Sequence, residues 1–203
     1  MALSAGTDHI TIHLNGHTIS GGNALQGIHV VGFQTSLDVC GKPFSGNTVA
    51  GNTFRNIGTS AVFLRDGSSN KVTDNTIENS RNGIVIGSGI SNEVAYNHIQ
   101  RGTYGVGLWP QLSGGCNAGG ATVPTIGFTF IASNKIAKQH LAVSLGSNLK
   151  LRRVLKNRIG KNLLQDSSYG LWFNADTAEN DARCNFFPDT GLPTTADGSG
   201  NLY

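Results

Sequence analysis

An asparagine that returns every 22 or 23 residues, each time in the same company, leaves this chain few ways to fold. Asn47-Thr-Val-Ala-Gly-Asn52-Thr-Phe-Arg-Asn56, Asn70-Lys-Val-Thr-Asp-Asn75-Thr-Ile-Glu-Asn79 and Asn92-Glu-Val-Ala-Tyr-Asn97-His-Ile-Gln-Arg101 superimpose column by column. The register returns at Asn134 and, 23 residues on, at Asn157, with a last copy at Asn185. Two residues after each come Phe54, Ile77, Ile99, Ile136, Ile159 and Phe187; three before come Val49, Val72, Val94, Ile131, Val154 and Ala182. A second alternating pair follows: Val62/Leu64, Ile84/Ile86, Val106/Leu108, Val143/Leu145 and Leu171/Phe173. Period two means a strand with one face buried. A fixed repeat means that each coil stacks on the one before it, about 4.8 Å away.

The expected fold is therefore all-β, a single-stranded parallel β-helix of about six coils. The repeating Asn sits at a bend, where it tolerates a left-handed backbone, and stacked amides satisfy one another. That column is structural. Composition agrees: 28 Gly and 20 Asn supply turns, and charged residues are only 13%. Residues 1–203 read as one domain, with insertions near 32–46 and 110–127 and an irregular tail from about 188. Neither end shows an amphipathic cap, so frayed ends or self-association through them is expected. The opening Met1–Gly6 is too polar and short for a signal peptide, and no apolar run is long enough to cross a membrane.

The pattern Asn-x-Ile…Gly-Ile-x-Ile…Asn-x-Val resembles the repeat of the pectate-lyase-like superfamily of right-handed parallel β-helices. The opening Ile10-Thr-Ile-His-Leu-Asn-Gly16-His-Thr-Ile-Ser-Gly21 resembles an early coil of its secreted bacterial members, including periplasmic copper-accessory proteins. Ala182–Pro193 is similar to the Asn-Trp-Trp-Gly…Gly-Pro segment that closes such arrays, with Phe186-Phe187-Pro188 in place of Trp-Trp-Gly. The resemblance spans residues 8–190 and implies a fold and an extracellular, cell-surface or periplasmic location. It does not imply one activity, because the same solenoid carries lyases, hydrolases, epimerases and non-enzymes.

Chemistry on such a frame lies in loops and outward strand positions. Trp109 borders the larger insertion and Trp172 follows in a later coil; both are outward, where indoles stack on sugar rings or are covered by loops. Eight basic residues and no acid lie between Lys135 and Lys161, whereas residues 166–197 hold six acids and one Arg. By the repeat register, His98, Lys135 and Arg158 form one outward column, and Arg101, Lys138 and Lys161 a second. An extended polyanion would meet both; the alternative is a solvated face.

No catalytic set emerges. Asp74, Glu78 and Glu93 form the one local acid cluster, and Glu78 pairs more readily with Arg55 of the preceding coil than with a glycosidic bond. His98, Arg101, Lys135 and His140 are candidates for a metal-free elimination by position alone. No cofactor or metal site is read: one Met, three dispersed Cys and six His offer no cluster. His9, His13 and His17 on one strand would stand about 14 Å apart end to end. Cys40, Cys116 and Cys184 are free thiols, or the first two bridge the insertions. Leu192-Pro-Thr-Thr-Ala196 looks like a sortase signal without its following span.

Two functions stay open. One is a carbohydrate-directed protein that binds an acidic polysaccharide through Trp109, Trp172 and the basic columns; as an enzyme it would be a lyase, epimerase or glycoside hydrolase. The other is a non-catalytic surface or scaffold module. Nucleic acid is disfavoured, since no reading motif accompanies the charge. Tryptophans and cations on one face favour binding; opposed faces favour the scaffold.

Overall fold

The computed structural model describes residues 3–5, 11–20, 26–31, 45–65, 67–110, 125–146, 153–196 and 200–203. Every strand pairing among them is parallel, and each strand pairs with its counterpart one coil away, as the repeat requires. A first face stacks Thr48–Ala50, Lys71–Thr73, Glu93–Ala95, Phe130–Ala132 and Arg158–Gly160. A second stacks Thr53–Arg55, Thr76–Glu78, the starts of two long strands (His98–Leu108 and Lys135–Leu145) and Leu163–Gln165. The long strands then turn a corner into a third face with Ser60–Arg65, Asn82–Ile86, Tyr169–Phe173 and Leu192–Ala196. A short sheet from Gly89–Ile90 to Thr177–Ala178 leads back to the first face. The chain is an all-β parallel β-helix.

Valine, leucine and isoleucine at alternate positions point inward from all these faces. Val62, Leu64, Ile84, Ile86, Val106, Leu108, Val143 and Leu145 are fully buried, as are Val72, Val94 and Ile131 opposite them. At about 25 cal/mol per Å² of apolar surface, each coil adds a slice of core that is stable only between neighbours.

The corners are made by residues in the left-handed region. Asp74, Tyr96, Ser133 and Lys161 (φ 56°, 57°, 55°, 59°) mark one corner, and Asn56, Asn79, Arg101, Lys138 and Asp166 (φ 56°, 51°, 60°, 55°, 50°) mark the next. Directly after the first of these runs an amide ladder, Asn52–Asn75–Asn97–Asn134–Asn162–Asn185, with Nδ2–H to Oδ1 distances of 2.9–3.1 Å. Each amide also donates to a backbone carbonyl and accepts a backbone N–H, as Asn97 does with Val72 O and Asn75 N. A second ladder at the third corner links Asn47, Asn70 and Asn92, and then Asn157, Asn180 and Asn201.

The second ladder corrects the repeat register. Asn157 belongs to it, and the true partner of Asn134 is Asn162, 28 residues on. The two ladders run five residues apart, as Asn47 and Asn52 do, so a short insertion between residues 146 and 153 moves one ladder into the other's register. Consequently Val154 and Ile159 leave their expected columns: Val154 pairs with Ile126, and Ile159 with Ile131. Both are buried all the same.

The tail expected to be irregular contains one ordered strand. Leu192–Ala196, the sortase-like segment, is a strand in register with Tyr169–Phe173, and Asn201 completes the second ladder. At the other end, Asn15 and Gly16 (φ 48° and 83°) turn the chain, so His13 and His17 do not share a strand. Cys40, Cys116, His9 and most of both expected insertions lie outside the described residues.

Candidate functional site

The third face carries a change of surface from coil to coil. Its outward column reads Phe63, Val85, Gly107, Ser144 and Trp172, by strand register. Gly107 is the small residue that makes room: a Cβ there would meet Trp109 Cε2 at 2.5 Å, Cζ2 at 2.7 Å and Cδ2 at 2.8 Å. Near-equal distances to three ring atoms mean that the indole lies flat over the glycine. Its Nε1–H donates to Ser144 Oγ on the next strand (3.2 Å). Trp172 is held in a similar way, its Nε1–H donating to Asn174 Oδ1 (3.0 Å).

Each indole meets a tyrosine edge-on. Tyr104 and Trp109 have centroids 4.7 Å apart at 83°, and Tyr169 and Trp172 are 5.2 Å apart at 87°. These T-shaped contacts fix the rings beyond what burial alone does. His140 stands at 86° to Tyr169, 5.4 Å away. Together with Leu141, these rings line one open hollow of about 530 Å³ across three neighbouring strands; among the described residues its lining contains no Asp, Glu, Lys or Arg, and the Asp176 carboxylate lies against Gly146 at its rim. The two expected tryptophans thus share one site.

The basic residues divide. His98 and Lys135 are register partners on the second face, and Arg101 and Lys138 follow them at the corner between the second and third faces. Tryptophans and cations therefore occupy adjacent faces that meet at this corner. Lys138 is two residues before His140 on one strand. Arg158 and Lys161 are not in these columns. Arg158 lies on the first face between Phe130 and Asp181, and Lys161 occupies the corner ahead of Asn162. The same register shift explains both displacements.

Charge that is segregated along the chain is paired in space. Lys156 Nζ meets Glu179 Oε2 at 3.5 Å in the next coil. Asp181 takes two hydrogen bonds from the Arg183 guanidinium (2.9 and 2.7 Å), which with a backbone N–H and nearby Arg158 hold its carboxyl down at about 2. Glu78 accepts from Gln100 (2.7 Å) and Arg55 (3.1 Å), and both lower its pKa, the Gln100 bond most. Glu93 pairs with Lys71 at 3.5 Å. Two members of the acid cluster, Glu78 and Glu93, are engaged by pairs between coils, as expected for Glu78. Lys135, Lys138 and Lys161 enter none of the described ion pairs.

Among the described residues, no three of His, Cys, Asp and Glu gather as a metal site. Cys184 is an exposed free thiol. Sequence reasoning missed Tyr104, Tyr169, Ser144 and Asn174 as part of the site. A signal was present, because each tryptophan follows a tyrosine within five residues.

Residues 8–118 match the family model described as "Periplasmic copper-binding protein (NosD)". No curated protein matches the chain.

Proposed function

Starting from a chain that belongs to the NosD family of periplasmic copper-binding proteins, a parallel β-helix family, we propose that this protein is carbohydrate-directed and binds an acidic polysaccharide outside the cytoplasm. The observation that carries the reading is the hollow: two indoles, each braced by a tyrosine and each with its N–H already satisfied. What remains to each indole is its face, and a ring face is what the apolar side of a pyranose stacks on. Lys138 and Arg101 at the adjoining corner, with Lys135 and His98 beyond them, supply positive potential for the acidic groups of the ligand. Hydrolysis needs two carboxylates, and the described residues bring only Asp176 to the rim of the hollow and none to its lining. Binding is the activity these residues support.

Copper, which the family description names, is not served by the described residues. A copper site needs clustered soft or imidazole donors, and none gathers among them.

Titration of the purified chain with acidic and neutral polysaccharides, at low and high salt, tests the proposal. Tryptophan fluorescence should change on binding a uronate polymer, binding should weaken with salt, and Trp109→Ala or Trp172→Ala should each cost at least about tenfold in affinity. Absorbance of unsaturated products would add a lyase activity. Absence of binding to every polymer would leave the scaffold reading in its place.

A further inference from the structure

We propose that the hollow takes two consecutive sugars of a polysaccharide whose units alternate acidic and neutral, laid parallel to the solenoid axis. This rests on the carbohydrate reading and narrows it. The two tyrosine–tryptophan pairs belong to strands separated by one strand, His98–Leu108 and Tyr169–Phe173 flanking Lys135–Leu145. Two strand spacings set the indoles about 10 Å apart along the axis, the length of a disaccharide. The middle strand offers Ser144, already engaged by Trp109, and no indole of its own. Two stacking positions with a gap of one strand fit alternate rings of a chain that runs across the strands.

The corner beside the hollow gives those positions opposite electrical character. Reading along the axis, it presents Arg101, Lys138 and then Asp166, all exposed and all left-handed. Arg101 lies three residues before Tyr104 in the strand that Trp109 follows, and Asp166 lies three residues before Tyr169. Glu78, near Arg101, is already met by Arg55 and Gln100. Among the described residues the floor itself carries no charged side chain, and Asp176, in the Trp172 coil, sets a second carboxylate against Gly146 at its rim. A carboxylate or sulfate that reaches the corner is favoured beside Arg101 and Lys138 and opposed beside Asp166, a difference felt most at low salt, where the titrations are run. A uniformly acidic chain would place one of its charges against that carboxylate.

Three hexasaccharides separate the possibilities: an alternating glucuronate–N-acetylglucosamine oligomer, an oligogalacturonate and a cello-oligosaccharide, each titrated into wild type and Asp166→Lys. Lysine already stands at this corner one coil earlier, with φ 55° at Lys138 against 50° at Asp166, so the backbone accepts the change. Wild type should prefer the alternating oligomer to both others by about tenfold, and Asp166→Lys should cut its margin over the oligogalacturonate to about threefold. Linkages differ among the probes, so the change in that ratio is the deciding number. An unchanged ratio, or equal binding of all three by wild type, overturns the alternating pattern and leaves carbohydrate binding standing. If a folded wild-type chain binds none of them, nor any longer polymer, both readings fall together.

Discussion

The two asparagine ladders use the same chemistry at two corners, yet one is continuous and the other is broken. The first runs from Asn52 to Asn185 without a missing amide. The second meets Thr129 between Asn92 and Asn157. Thr129 N–H still donates to Asn157 Oδ1 (2.9 Å), but its own hydroxyl is buried with no partner. A threonine accepts in only part of the space an amide fills and has no second donor to pass on. The break falls in the coil that follows residues 111–124. The lesson is that one complete ladder holds register while the other tolerates a fault beside an insertion.

The most damaging test of this contrast is Asn97→Ala in the continuous ladder. It removes five hydrogen bonds of 2.8–3.0 Å and strands the Asn75 N–H and Val72 carbonyl inside the core. Loss of about 3–4 kcal/mol is expected in urea unfolding. A loss below about 1 kcal/mol would mean that the ladder follows the fold rather than holding it. Thr129→Asn should act in the opposite direction, mending the second ladder and raising stability by about 1 kcal/mol. A fall in melting temperature would instead assign the fault a packing role.

Asn201→Ala, at the half-exposed end of the second ladder, should cost about 0.5–1 kcal/mol. An equal cost at Asn97 and Asn201 would erase the distinction between core and terminal rungs. The smallest effect belongs to Asp181, next to Asn180. Its folded pKa of about 2 lies below its ordinary 3.8, so its stabilising contribution is complete above 3.8 and disappears as pH falls towards 2. The urea midpoint of Asp181→Asn should show a slightly shallower decline across that window than wild type.

The fold was legible because stacking writes itself into a linear chain as a fixed interval, and Asn52, Asn75 and Asn97 keep that interval without interruption. Register failed after residue 146 because two identical ladder chemistries lie five residues apart, and no local property separates Asn157 from Asn162. The tryptophans were legible as outward strand positions. Their tyrosines were not, since Tyr104 and Tyr169 stand near a corner where alternation does not yet hold. Which acids neutralise which bases was hidden as well: Lys156 and Glu179 are 23 residues apart in sequence and one coil apart in space.

The position of the extra residues has a consequence for how such a chain can vary. Residues 32–44, 111–124 and 147–152 all fall in the same stretch of their coils, after the third face and before the return to the first. The other two corners vary far less: residues 51–52 make one turn where 13–17 make it in the first coil, and 56–59 make the other where 79–81 do so one coil later, with the strands that follow still in register. The coil thus has one seam open to long additions and two corners that admit only a few residues. Evolution, or an engineer grafting a peptide, can write at the seam at length while the ladders continue to count.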